Sequence, residues 1–172
     1  MKKSTIIFQV LLLSFTIINA QQSTVKTAFL EKWENSKNYL MEIAEAMPED
    51  AYAFKPTERQ MSFKEQLLHI KGNMEWLSNS YFTKVKYEKG KPNLEMNKAE
   101  TIRELEKGFN SVIQIIKRTP DEDLTETVDF FAGPKSKLQI LNLMQDHVTH
   151  HRGQLIVYLN LNEIDPPKYT GW

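Results

Sequence analysis

The chain has 172 residues, with 22 Lys and Arg against 22 Asp and Glu, a formal net charge of zero and no cysteine. Disulfides, thiolate metal ligands and a cysteine nucleophile are therefore excluded in any compartment. Balanced charge supplies no basic track for phosphates, which argues against nucleic acid as a partner. The length predicts one domain.

The first 20 residues read as a targeting segment. Lys2 and Lys3 make a positive start, Ile6 to Ile18 is apolar except for Gln9, Ser14 and Thr16, and Asn19-Ala20 offers a cleavage point before Gln21. This is the pattern of a secretory signal peptide. The apolar run is too short and too interrupted to span a bilayer, so no stable membrane insertion is expected. No cysteine follows it, which excludes a lipoprotein anchor. On this reading residues 1–20 are a signal peptide and residues 21–172 are the mature domain of a periplasmic or secreted protein. Loss of Lys2 and Lys3 leaves the mature chain slightly acidic.

Four helices follow. The first runs from about Ser23 to Met47, with Phe29, Leu30, Trp33, Leu40, Ile43, Ala44 and Met47 at helical spacing; Pro48 ends it. The second opens at Ser62, an N-cap whose capping box is completed by Glu65. Phe63, Gln66, Leu67, Ile70, Met74 and Leu77 mark its length, to near Phe82. Gly90 and Pro92 place a loop over 87–93. The third helix begins near Asn97, carries an apolar stripe of Ile102, Leu105, Phe109, Val112, Ile113 and Ile116, and closes at Thr119-Pro120. Val128 to Phe131 is predicted to be extended, ending in a Gly133-Pro134 turn. The fourth helix opens near Ser136 and runs to about Leu161. It is apolar on more than one face, which predicts burial on several sides. Asp165-Pro166-Pro167 then imposes a non-helical tail to Trp172. Four such helices predict an all-α four-helix bundle.

The chemistry concentrates in histidine. The chain has four, His69, His147, His150 and His151, three of them in the last helix. His147 and His151 are i and i+4, stacked on one face with Cβ atoms ~5–6 Å apart. His69 joins them because bundles build metal sites from facing helices. His150 lies about 100° around the helix from His151 and falls to a flank. Three neutral imidazoles leave a coordination position open, the pattern of catalytic rather than structural zinc. Imidazole also suits nickel, iron and copper. An ion in such a site lowers the pKa of a bound water, which then serves as nucleophile or base.

Around this trio, Asn73 falls one turn from His69 and faces the same cavity. Gln154 reads either as an amide that orients a ligand or water, or as a surface amide. Arg152 reads either as an anion-binding side chain or as a solvated one. Gly153 costs about 0.8–1 kcal/mol against Ala in a helix interior, which a close helix approach accounts for; tolerated local weakness is the alternative. Glu75 and Asp146 are candidate partners for imidazole N–H groups. Trp33, Trp76, Tyr81 and Tyr158 read as core or pocket walls. No Ser-His-Asp triad and no pair of inward carboxylates is legible.

The His69 helix followed by His147-x-x-x-His151-Arg152-Gly153-Gln154 resembles the DinB/YfiT-like superfamily. Met47-Pro48-Glu49-Asp50, Phe54-Lys55-Pro56, Ser62-Phe63, Leu67-Leu68-His69-Ile70 and the tail with Pro166-Pro167 and Tyr169 carry the resemblance over about residues 24–172. It implies a four-helix bundle, a divalent transition metal (zinc, nickel or iron) held by His69, His147 and His151, and a homodimer. Similar proteins include isomerases and S-transferases that use low-molecular-weight thiols. An exported chain meets little of those thiols. The leading expectation is therefore a metal-dependent hydrolase or transferase acting on a small molecule whose identity the sequence does not give. A non-catalytic small-ligand module or dimeric scaffold is the alternative, and a thiol-dependent S-transferase applies if the chain is not exported.

Overall fold

The computed structural model describes residues 23–88 and 90–172. The signal-peptide reading of residues 1–20 lies outside the described residues. Four helices carry the fold: α1 Val25–Ala46, α2 Phe63–Phe82, α3 Lys98–Arg118 and α4 Lys137–Leu161. The all-α four-helix expectation is met. Each helix begins at a side-chain cap, because the first N–H groups of a helix have no partner within it. Thr24 accepts from the Thr27 N–H. Ser62, Asn97 and Ser136 each form a full capping box, with Glu65, Glu100 and Gln139.

α1 and α2 each pack on both α3 and α4. Cross-helix contacts give the directions. Lys71 of α2 pairs with Glu104 of α3, while Lys64, two turns earlier, donates to the Leu94 carbonyl just ahead of α3. α2 and α3 therefore run parallel, and the chain must return along the bundle between them, which accounts for the long connection over 83–97. α4 runs antiparallel to α2: Gln66 meets Gln154 and His69 meets His147. At the α2–α3 contact a Cβ on Gly108 would lie 3.1 Å from Met74 Sδ and 3.3 Å from Lys71 Cγ, so this is where the fold uses a glycine for close approach.

The core is apolar and continuous. Trp33, Phe63, Phe109, Leu67, Leu105 and Leu155 are fully buried in it. The Trp33 indole stacks on Phe29, packs against Phe109 and donates its N–H to the Phe109 carbonyl at 3.3 Å. That bond satisfies the polar end of a buried ring.

The segment before α4 departs from expectation. Only Thr127–Val128 (β1) is strand, paired antiparallel with Lys135–Ser136 (β2). Phe130 and Phe131 leave the ladder and lie in the connection, which turns through Gly133 at φ +86°. Their rings pack on Trp76 of α2 instead of extending the pairing. Two short 3₁₀ turns, Glu49–Ala51 and Glu122–Thr125, were also not anticipated. Segments of three and four residues are too short to show a hydrophobic period.

Candidate metal centre

The antiparallel contact of α2 and α4 sets Gln66 and His69 opposite His147, His151, Gln154 and Tyr158. Along α4 these four fall at i, i+4, i+7 and i+11, one helical face. The structure brings His69, His147 and His151 together, with one ring nitrogen from each lying within 4.8 Å of the others. His147 Nε2 and His69 Nε2 are 3.0 Å apart. The ring centroids are 4.9 Å (His69–His147), 4.6 Å (His69–His151) and 4.4 Å (His147–His151) apart. A tetrahedral ion with metal–nitrogen bonds of ~2.0–2.1 Å sets its nitrogens ~3.3 Å apart. The trio fits a divalent ion with little side-chain movement. His69 is exposed, His147 half-buried and His151 buried, so the cluster opens to solvent on its α2 side.

Protonation favours ligation. Burial pushes the His147 imidazole down to about 3, with the His151, His69 and His150 rings adding repulsion. Burial and the neighbouring His69 and His150 rings hold His151 down to about 4. Both are neutral at pH 7 and present a lone pair, which metal binding requires.

A hydrogen-bond chain decides which lone pair His151 presents. The Met61 carbonyl can only accept, and the Tyr158 hydroxyl donates to it at 2.8 Å. The Tyr158 oxygen then accepts from Gln66 Nε2 at 3.3 Å, and Gln66 Nε2 also donates to Gln154 Oε1 at 2.6 Å. Gln66 Oε1 therefore faces His151 Nδ1, at 2.6 Å, and accepts its proton. With its proton on Nδ1, His151 keeps a bare lone pair on Nε2, and its ring lies 4.6 Å from that of His69 and 4.4 Å from that of His147. An outer partner that fixes tautomer and ring orientation is the usual companion of a ligating histidine. Sequence reasoning counted Gln66 only as part of the α2 inner face. The available signal was an amide at a core position, three residues before His69.

The other candidates divide. Gln154 lies in this network, and its Nε2 donates to His150 Nε2 at 2.8 Å. His150 is exposed, outside the trio. Asn73 is half-buried on the His69 face, and its Oδ1 is buried with no partner among the described residues. Arg152 points away: it is 6 % exposed and lies over the Tyr39 ring of α1 at 5.0 Å. The solvated arginine does not describe it, and its Nη1 is buried with no partner among the described residues. The Nδ1 of His151 goes to an amide rather than a carboxylate, and that of His147 has no partner among the described residues. Glu75 instead pairs with Lys71, and Asp146 is exposed. Nothing lies within 4 Å of a Cβ placed on Gly153, so close helix approach does not explain that glycine. A cleft of about 400 Å³ lies between the starts of α1 and α4, around Val25, Phe29, Leu138 and Leu141, and contains none of the histidines.

The DinB family model matches residues 21–170. The YjoA protein of Bacillus subtilis (strain 168) is 27% identical over 131 residues, covering 72% of this chain and 81% of that protein. The crystal structure of that DinB-like protein superimposes with a TM-score of 0.69 at 22% identity, over 83% of this chain and 96% of that one. A DinB-like protein from Bacillus cereus ATCC 10987 gives a TM-score of 0.65 at 19% identity, over 83% and 95%. At these identities the structural matches establish the fold.

Proposed function

The chain belongs to the DinB family, and we propose that it is a metal-binding member in which His69, His147 and His151 hold one divalent transition ion, zinc, nickel or iron, through their Nε2 atoms. The observation that carries this reading is the directional chain from the Met61 carbonyl to His151, which leaves that imidazole neutral and Nε2-bare among two others. A bound ion supplies a Lewis acid that polarises substrate and acidifies water, the basis of hydrolase or transferase chemistry on a small molecule. The protein's share is to hold three neutral donors on one side and leave the side next to exposed His69 for substrate. Gln154 braces Gln66 and engages His150, so it acts on the site by positioning. The targeting pattern of residues 1–20 supports action outside the cytoplasm, where a thiol-dependent S-transferase lacks its cosubstrate. A homodimer is part of the same proposal.

The test is metal analysis of untagged protein after reconstitution, compared with His147→Ala. About one equivalent in wild type and its loss in the variant is the expected result. Less than ~0.2 equivalents of any divalent metal, or unchanged occupancy in the variant, overturns the proposal. N-terminal sequencing of protein from the native host checks the location: Gln21 at the start supports export, and retained Met1 restores the thiol-transferase reading.

A further inference from the structure

Two consecutive phenylalanines occupy the connection between β1 and β2, where polar turn residues are the norm. Phe131 is 82 % exposed, yet its ring is not isolated. It lies 4.4 Å from the Phe130 ring and 6.3 Å from Trp76, and Trp76 lies 6.1 Å from Phe130, centroid to centroid. The Trp76 and Phe131 planes are within 29° of parallel, a stacked arrangement. Phe131 is exposed and Trp76 half-buried beside it, over a buried Phe130, so the exposed ring belongs to an apolar patch.

Its position relative to the histidines is fixed by helix geometry. Trp76 follows His69 by seven residues, two turns, so it returns to the same face ~10 Å further along α2. Asn73 lies between them on that face, half-buried. On α4, Leu143 sits one turn before His147 and is 37 % exposed. Because α2 and α4 are antiparallel, both steps lead the same way, from the histidines toward the aromatic turn. One continuous face thus runs from three imidazoles, past Asn73 and Leu143, to Trp76 and Phe131.

The geometry points to an apolar subsite of the metal centre: Trp76 and Phe131 receive an aryl group of a substrate whose polar end reaches the three histidines about 10 Å away. The inference rests on the metal reading above and names the substrate class for it. A substrate fits this face because the face runs on from the open side of the histidines, where His69 is exposed, so that one molecule of this length meets both.

The experiment compares two zinc chelators on the zinc-loaded protein by calorimetry, hexanohydroxamate and 6-phenylhexanohydroxamate, which differ only in the terminal ring. Wild type is expected to bind the phenyl compound about tenfold more tightly, the scale of one aromatic contact plus its burial. Phe131→Ser, at an exposed turn position, is expected to bring the two within twofold while leaving hexanohydroxamate binding unchanged. Equal affinities in wild type, or a preference that survives Phe131→Ser, overturns the subsite and leaves the metal reading standing. A dimer that dissociates in Phe131→Ser with the preference intact assigns the patch to a second copy and likewise overturns it. Failure of the protein to take up zinc overturns the metal reading; failure of both hydroxamates to bind the zinc-loaded protein overturns the open coordination side, and the subsite with it.

Discussion

Replacing Gln66 with leucine removes the acceptor of the His151 Nδ1 proton without removing a ligand. Three hydrogen bonds go with it, to His151 Nδ1 (2.6 Å), Gln154 Oε1 (2.6 Å) and the Tyr158 hydroxyl (3.3 Å). Their losses are unequal. Tyr158 keeps its bond to the Met61 carbonyl, and Gln154 is only half-buried, so water replaces its partner. His151, 6 % exposed, keeps an N–H with no acceptor. One stranded donor costs ~1–3 kcal/mol of stability in the metal-free protein. The larger signature is in affinity, because the His151 ring is then free to change tautomer and rotate: a loss of about 10–100-fold for zinc, the usual cost of removing such a support. Competition titration against a chromogenic chelator reads the affinity, and thermal melting reads the stability. Gln66→Glu is the matched control: its carboxylate still accepts from Nδ1, so its affinity is expected to exceed that of Gln66→Leu. Zinc affinity within twofold of wild type in Gln66→Leu, with His147→Ala abolishing binding, would refute the orienting role.

The metal-free protein is expected to lose stability as pH falls below about 6.5, the unfolded histidine value. His147 and His151 are held below that value when folded, to about 3 and about 4, so the unfolded chain binds their protons first, and melting temperature should drop steadily from pH 7 to pH 5. A flat or rising profile contradicts their burial as neutral rings. Gly153→Ala places a methyl in open space on an exposed helical position. It should stabilise by about 0.8–1 kcal/mol in denaturant unfolding with zinc affinity unchanged, and destabilisation would mean that the position contacts something in the assembled protein. Arg152→Met removes a buried guanidinium that has no carboxylate within ion-pair distance among the described residues and rests on the Tyr39 ring. Stability is expected to hold or rise, since the desolvation of the charge is removed while the fill is kept; a loss beyond ~2 kcal/mol exceeds what a cation–π contact accounts for and argues against this reading.

What the sequence disclosed follows the range of the physics involved. Helix ends at Ser62 and Ser136 are local: a cap and its partner three residues on decide them. The His147–His151 face is local too, a consequence of 3.6 residues per turn. Pairing with His69 needed only that two helices face each other. Gln66 lay beyond reach because its role depends on the register of α2 against α4, which places Gln154, Tyr158 and His151 around one amide. Arg152, one residue from His151 in the chain, is about 100° around the helix and lies on the Tyr39 ring of α1, a placement that only the packing of α1 on α4 decides. Val128 to Phe131 has strand composition, but the ladder ends at Val128 and the phenylalanine rings pack on Trp76, a contact across the fold that composition does not contain.

The chain from Met61 to His151 makes a prediction at longer range. Tyr158→Phe removes the one hydroxyl that passes the direction of a backbone acceptor to Gln66. The Gln66 amide then has less to distinguish its oxygen from its nitrogen, and the flipped amide offers an N–H to His151 Nδ1, favouring the tautomer with its proton on Nε2, where it blocks ligation. The flip is opposed by the second bond, from Gln66 Nε2 to Gln154 Oε1. Tyr158→Phe alone is therefore expected to lose less zinc affinity than Gln66→Leu, about 2–10-fold, the worth of one hydrogen bond. Combining it with Gln154→Leu removes both restraints, and the double variant should approach the loss seen in Gln66→Leu, beyond the sum of the single effects. Strict additivity would mean that the two bonds do not act through one amide, and that His151 is oriented by packing alone.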